Sequence, residues 1–439
     1  MKKLIVLLSV VAVSFSTISC DDYLDIEPDG KVIPKSVEDY RQVLTMAYSK
    51  YPQHKSLTAI RTDELILDEY SSDFISYREI AMWKDVNPDQ ATTQFQWEAF
   101  YSVIFYANQI INEGVNTMAD SAEKDQILAE AYALRAYAYF DLINLYGKPY
   151  NATTAATDRG VPLVLALNLE AAVAPSSVQQ IYDQIHVDIE KSSALMVEVR
   201  QTLGINYRFS KQALEAFKAR IYLYQQNWEE ALASANQALN ISDELVDLNA
   251  ASSLPNHYTS VEGIMALDNN FNSALKYMAT ASPELIESYD QATDLRFNVY
   301  FESSWDGYKI LKGGSSDYRM SFRVSELYLI KAEALLKLNQ LAEAKAILKP
   351  FLAKRYTAEG FETIQASIET MNDSALMDFI LEERNREFAL EGHRWFDLRR
   401  ANQKQIIHMI SGNEYILQPN DIRYTIEIPQ QAKLNNPSL

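Results

Sequence analysis

Ser36 precedes a run in which Val37, Tyr40, Val43, Leu44 and Ala47 recur at three- and four-residue intervals, the spacing that lines apolar side chains along one face of an α-helix. Asp39 stands three residues after Ser36, so the pair resembles a capping box and predicts a helix start. The same period runs from about Thr92 to Thr117 through Phe95, Ala99, Val103, Tyr106, Ile110 and Ile111. It returns from about Ala122 to Tyr146, where Gly147 and Pro149 predict the stop. Further helices are predicted over 177–197 and from Ala375 to Ala401, and a short β-like stretch over Tyr424–Ile428.

Part of the pattern repeats. Residues 218–231 align without gaps on 331–344, with five of fourteen positions identical. Each copy reads as helix, polar turn, helix, with Ala219 and Ala332 where paired helices approach and Tyr222 and Leu335 three residues on. This is the logic of a tetratricopeptide unit, in which a hairpin buries its apolar face only by stacking on neighbours. Hairpin-like units are expected near 122–197, 210–241, 322–355 and 374–401, so the fold class is mostly α, a tetratricopeptide-like scaffold interrupted by inserts. The inserts 51–91, 147–176, 244–320 and 411–439 hold most of the Gly and Pro. Two of them, 51–91 and 244–320, concentrate aromatic residues, and loops carry function more often than scaffolds do.

Composition narrows the function. With 48% apolar and 23% charged residues, the chain has the make-up of a globular protein with a large core. Its net charge of −19 opposes binding to a phosphate backbone, so no nucleic-acid partner is expected. Twelve Gly and thirteen Pro are few for a many-stranded β protein, and a lone cysteine, Cys20, allows no internal disulfide or thiolate metal cluster. Lys2 and Lys3, a stretch from Leu4 to Val13 that is apolar except for Ser9, and a small-residue zone ending at Cys20 read as a signal peptide over 1–19. The apolar run is short of the ~20 residues that span a bilayer. Cys20 stands where lipoprotein processing would leave it as an acylated N-terminus, followed by an extended tether over 20–35. An ordinary cleaved signal is the alternative.

The chain contains no Gly-x-Ser-x-Gly elbow, His-Glu-x-x-His, phosphate loop or calcium loop. No catalytic residues, metal or cofactor are expected. The most specific segment is 382–400, where Glu383, Glu387 and Glu391 are spaced one turn apart, an unfavourable row unless cations interleave. Arg384, Arg394 and Arg386 are the cations at hand. A charged ligand site is one reading; a structural ion-pair lattice of Glu383, Arg384, Glu387, Glu391, Arg394 and Asp397 is the other, favoured by the even alternation of charge.

Segment 382–400 resembles the C-terminal signature of the SusD/RagB family of surface lipoproteins. The resemblance extends to Cys20 and its acids, to Arg135–Gly147, Ser282–Leu285, Asp294–Arg296, Arg323–Glu333, and a tail with Ile428–Gln431 and Asn436–Pro437. It implies a single SusD-like domain over 36–439, anchored in the outer membrane through the N-terminal lipid and displayed at the cell surface. It also implies a partner, a SusC-like TonB-dependent transporter, to which the protein delivers captured oligosaccharide or, in some members, oligopeptide. A lipidated tetratricopeptide adaptor without a small ligand, and a surface hydrolase, are the competing classes. Sugar faces stack on aromatic rings while hydroxyl, amide and carboxylate groups bind their hydroxyls. The candidate ligand residues are therefore Tyr70, Asp73, Tyr77 and Trp83 in the first insert and Trp305, Tyr308 and Tyr318 in the third. For Trp83 and Trp305, packing of the loop against the body is an equal alternative.

Overall fold

The computed structural model describes residues 34–167, 172–250 and 253–439; the signal segment, Cys20 and the tether to residue 33 lie outside them. Helix α1 (Val37–Ser49) begins at Ser36, whose hydroxyl accepts from the Asp39 N–H at 3.2 Å while the Asp39 carboxylate accepts from the Ser36 N–H at 2.9 Å. A short helical turn, Lys55–Ile60, leads to strand β1 (Leu65–Leu67) and α2 (Phe74–Ala81). Helix α3 (Trp97–Gln109) starts five residues later than the apolar period indicates. The N–H groups of Thr92 and Thr93 are taken by the carbonyls of Asp89 and Ser76, so this stretch packs Phe95 inward without helical turns. Past Gln109 the helix widens into a π turn, Ile110–Gly114.

Helix α4 (Ala122–Tyr146), N-capped by Ser121, is buried on nearly all sides from Gln126 onward. Polar residues on so buried a helix need partners. Arg135 donates to Asp188 through two nitrogens at 2.8 and 2.6 Å, and Asp141 accepts from the Tyr51 hydroxyl at 2.7 Å. Helix α5 (Val178–Leu195) packs antiparallel on α4 and carries Asp188. Next come α6 (Lys211–Gln225) and α7 (Trp228–Ile241), paired as a hairpin.

The long insert follows, with α8 (Ser273–Met278), β2 (Ala279–Ala281), β3 (Phe301–Ser304) and β4 (Gly307–Ile310). These strands and β1 form an antiparallel sheet in the order β1-β2-β4-β3. Leu65 pairs with Ala281 and Leu67 with Ala279, and Ala281 pairs on its other side with Tyr308. The first and third inserts therefore join in one sheet, the link that places their aromatic residues relative to each other.

The second hairpin copy is α9 (Val324–Lys337) and α10 (Leu341–Leu352), with α7 packed on α9. The close-approach residues Ala219 and Ala332 are both fully buried. The long helix expected over Ala375–Ala401 is divided into α11 (Asp373–Glu387) and α12 (Arg394–Ala401). Leu390 and Gly392 take left-handed backbone, φ 61° and 77°, and a Cβ on Gly392 would stand 2.6 Å from the Lys55 Cβ. Only glycine admits both the φ and that approach. The β-like stretch Tyr424–Ile428 forms no strand: Ile422–Tyr424 is a 3-10 turn and Ile426 donates its N–H to the Leu145 carbonyl. The hairpin of this region lies earlier, β5 (Ile406–Ile410) with β6 (Asn413–Leu417), and α13 (Gln430–Asn435) closes the chain. Helical hairpins dominate throughout, so the protein is mostly α with small sheets in the inserts and the segments that border them. Among the described residues, no helix is long and apolar enough to cross a membrane.

Candidate functional site

Glu383 and Glu387 on α11 and Glu391 in the turn beyond it are all buried. Their cations come mostly from distant segments. Arg296 Nη1 lies 2.6 Å from Glu383 and 3.1 Å from Glu387; Arg355 spans Glu387 and Glu262 at 2.9 and 2.5 Å. Arg323 reaches Glu387 and Glu391 at 2.5 and 3.0 Å, and Lys312 reaches Glu391 at 2.6 Å. Burial alone would raise the Glu387 carboxyl, but the charges of Arg355 and Arg323 outweigh it and hold the group well below the usual carboxylate range. Of the three expected cations only Arg386 meets the row, 2.6 Å from Glu383. Arg384 donates instead to Asp397 at 2.8 Å, and Arg394 donates to Asp63 at 2.8 and 2.6 Å. The break before α12 carries Arg394 away from the glutamates, and Arg384 lies on another side of α11. With Asp294 also paired to Arg296, the network fastens insert residues Glu262, Asp294, Arg296 and Lys312 to the scaffold. It thereby fixes the β-sheet that carries the exposed rings.

Those rings gather around α8. Asn272 caps this helix, its side chain accepting from the Leu275 N–H at 2.9 Å. Leu275 and Met278 face the core, so Tyr277 is turned outward and is 84% exposed. Beyond β1, Asp68 donates its N–H to the Met278 carbonyl at 2.7 Å and its carboxylate accepts from the Tyr70 N–H at 2.9 Å. That clasp holds Tyr70, 99% exposed, at the same end of the sheet as Tyr277, with Asp73 exposed nearby at the start of α2. On the other flank of α8, the Lys276 ammonium lies 5.8 Å from the centre of the half-buried Tyr318 ring, and His257 meets that ring edge-on at 5.7 Å. Tyr70 and Tyr277 thus make a shelf of two free aromatic faces at this end of the sheet, while Lys276, which also donates to the Leu311 and Gly313 carbonyls, turns to the other flank.

Other candidates fall elsewhere. Trp83 is a core residue, 1% exposed; its indole N–H donates to the Arg61 carbonyl at 3.0 Å and its ring stacks on His408 at 4.4 Å. Tyr77 is also buried, on the stripe Phe74, Tyr77, Ile80, Ala81 of α2. For Trp83, which lies past the end of α2 in left-handed backbone (φ 52°), packing against the body is the alternative that holds; Tyr77, expected at a ligand surface, instead packs inward because it falls on the apolar period of α2. Trp305 is 94% exposed at the tip of the β3–β4 hairpin. The strand register puts that tip at the Leu65–Ala281 end, opposite Tyr70 and Tyr277. Tyr308 is half-buried against Phe297, centres 5.4 Å apart. Sequence reasoning missed Tyr277 and Asn272, although a large ring off the apolar stripe of a short helix is a signal. A cleft of about 450 Å³ runs along the far side of β1 toward β5, bordered by Ile66, Glu284 and Met409. Among the described residues no group of three His, Cys, Asp or Glu side chains is placed to hold a metal.

A family model described as "Starch-binding associating with outer membrane" matches residues 22–223, and the SusD family model matches 252–438. SusD-like protein P38 of Formosa agariphila is 27% identical, over 94% of each chain. A SusD-like protein of Bacteroides ovatus is 21% identical, over 91% of this chain and 82% of its own. A SusD superfamily structure from Bacteroides fragilis superposes with a TM-score of 0.78 at 22% identity, covering 93% of this chain and all of the other. A laminarin-binding SusD-like protein superposes with a TM-score of 0.64 at 20% identity, covering 83% and 91%.

Proposed function

Because the chain belongs to the SusD/RagB family, we propose that it captures an oligosaccharide on the α8 shelf and delivers it to a SusC-like TonB-dependent outer-membrane transporter. The observation that carries this reading is the pair of outward-facing rings, Tyr70 and Tyr277, fixed at one end of the insert sheet, with Asp73 exposed at the start of α2. Free aromatic faces cost apolar exposure in water and gain it back by stacking on sugar C–H faces. The starch-binding description of one matching family and the laminarin-binding neighbour support a glucan as the first ligand class to test. The role is capture without turnover. Attachment at the cell surface is assigned to a lipid on Cys20, and with more than one acyl chain such an anchor is stable.

Isothermal titration with maltoheptaose and laminarihexaose tests the reading, alongside mixed oligopeptides of similar length and product analysis of each mixture. Binding of a glucan that Tyr277→Ala weakens, with no product formed, is the expected result. Peptide binding without glycan binding would move the function to oligopeptide uptake, and product formation would make the protein a hydrolase.

A further inference from the structure

A second cavity, of about 670 Å³, opens between the 85–99 segment and α13, apart from the α8 shelf. Its size lies within the ~300–1,000 Å³ of small-molecule sites. The polar lining is dominated by amides: Asn87, Gln90, Gln94 and Gln96 on one wall, Gln430 and Gln431 on the other. The buried rings of Phe95 and Trp97 supply apolar lining between them.

The amides are largely unspent. Among the described residues, the side chains of Asn87, Gln90 and Gln430 make no hydrogen bond, and Gln96 uses only its carbonyl, accepting from the Gln53 N–H at 3.0 Å. The lining contains no Lys, Arg or His, while Asp85, Asp89 and Glu98 border it. Asp85 is already neutralised by Arg61 through bonds of 2.7 and 3.0 Å. An anionic ligand is therefore repelled. An amide presents a donor and an acceptor side by side, the pairing that adjacent hydroxyls require, and it does so without the desolvation cost of a charge. The aromatic lining suits sugar C–H groups.

We infer that this cavity is a second saccharide site, for a neutral sugar unit, independent of the α8 shelf. It would let the protein hold a glycan at two places, so that one bound end raises the effective concentration of the other.

The test is hydrogen–deuterium exchange on the purified full chain, with maltotriose, laminaritriose, xylotriose and mannotriose each at saturating concentration. At least one is expected to slow exchange in both 85–99 and 430–435. A Gln90→Ala/Gln430→Ala double variant, altered only at exposed positions, should weaken that protection about tenfold in sugar concentration. Protection over 68–78 and 272–278 should stay as in the wild type. The proposal is overturned if none of the four protects the cavity segments, if protection survives the double variant, or if only a Lys/Arg-rich peptide produces it. In the wild type, protection of the cavity segments without protection over 68–78 and 272–278 would support the cavity site and count against the shelf.

Discussion

Gln226 and Asn339 hold the same left-handed backbone, φ 59° and 60°, at the same place in the two helical hairpins. Each residue donates its N–H to the carbonyl three back, Leu223 or Leu336. The following residue closes onto Tyr222 or Leu335 at 2.9 Å in both copies. The turn chemistry of the repeat is thus conserved in geometry where the residues differ.

Left-handed backbone strains a side chain with a Cβ, less so Asn than Gln. Gln226→Gly should stabilise the protein by roughly 0.5–1 kcal/mol and Asn339→Gly by less. Urea denaturation checks both. Equal effects, or destabilisation by either, would show that other contacts of these side chains outweigh the strain.

The buried lattice makes a graded prediction. Arg323→Ala leaves Glu387 and Glu391 short of a shared cation in a site without water access, and breaking such a pair costs roughly 3–5 kcal/mol. Arg394→Ala should cost less, because Lys404 remains 2.6 Å from Asp63. Thermal melts of the two variants should rank them in that order, with ligand affinity of the folded fraction unchanged for Arg394→Ala.

Glu64 gives the fold a pH dependence of definite sign. It is buried, accepts from the Leu390 N–H at 2.7 Å, and burial pushes its carboxyl up to about 7 from an ordinary 4.5. Between those values the folded state binds more protons than the unfolded one, so this group's contribution to stability is full below about pH 4.5 and is lost as pH rises through 7. The Glu64→Gln variant should escape that loss. The stability difference between variant and wild type should shift in the variant's favour by on the order of 3 kcal/mol from pH 4.5 to 8. A difference independent of pH would mean that Glu64 is ionised throughout.

Much of the scaffold is legible in sequence because its signals are local. The Ser36/Asp39 cap and the Gly147 stop depend on a few neighbouring residues. The division between α11 and α12 depends on the approach of Gly392 to Lys55, which no local pattern contains. The lattice shows the same limit: the row of glutamates is visible, but Arg296, Arg323 and Arg355 come from distant segments, and nearest-neighbour logic selected Arg384 and Arg394 in their place. For the shelf, aromatic content pointed to the two inserts that the sheet joins. Which rings face outward follows from helical phase in α2 and α8, and that phase separates Tyr77 from Tyr277.

The tryptophans give the sharpest separation of core from surface. Trp83 stacks on His408 and bonds Arg61 from inside the body, so Trp83→Ala should destabilise by roughly 3–5 kcal/mol, the usual cost of emptying a large aromatic site. Tyr277→Ala and Trp305→Ala remove exposed rings and should leave the melting temperature within a degree or two of wild type. Loss of one stacking face is worth about 0.5–1.5 kcal/mol beyond area burial, so Tyr277→Ala should weaken glycan binding by roughly an order of magnitude. Trp305 stands at the other end of the sheet and reports the length of the ligand. If Trp305→Ala weakens a heptasaccharide but not a trisaccharide, the glycan runs along the strands from the α8 shelf to the hairpin tip; if it weakens neither, the hairpin tip is free for the transporter to contact. Titration of both oligosaccharides against the three variants, with melts run in parallel, distinguishes these outcomes. An unchanged affinity for Tyr277→Ala would remove the shelf from the binding site.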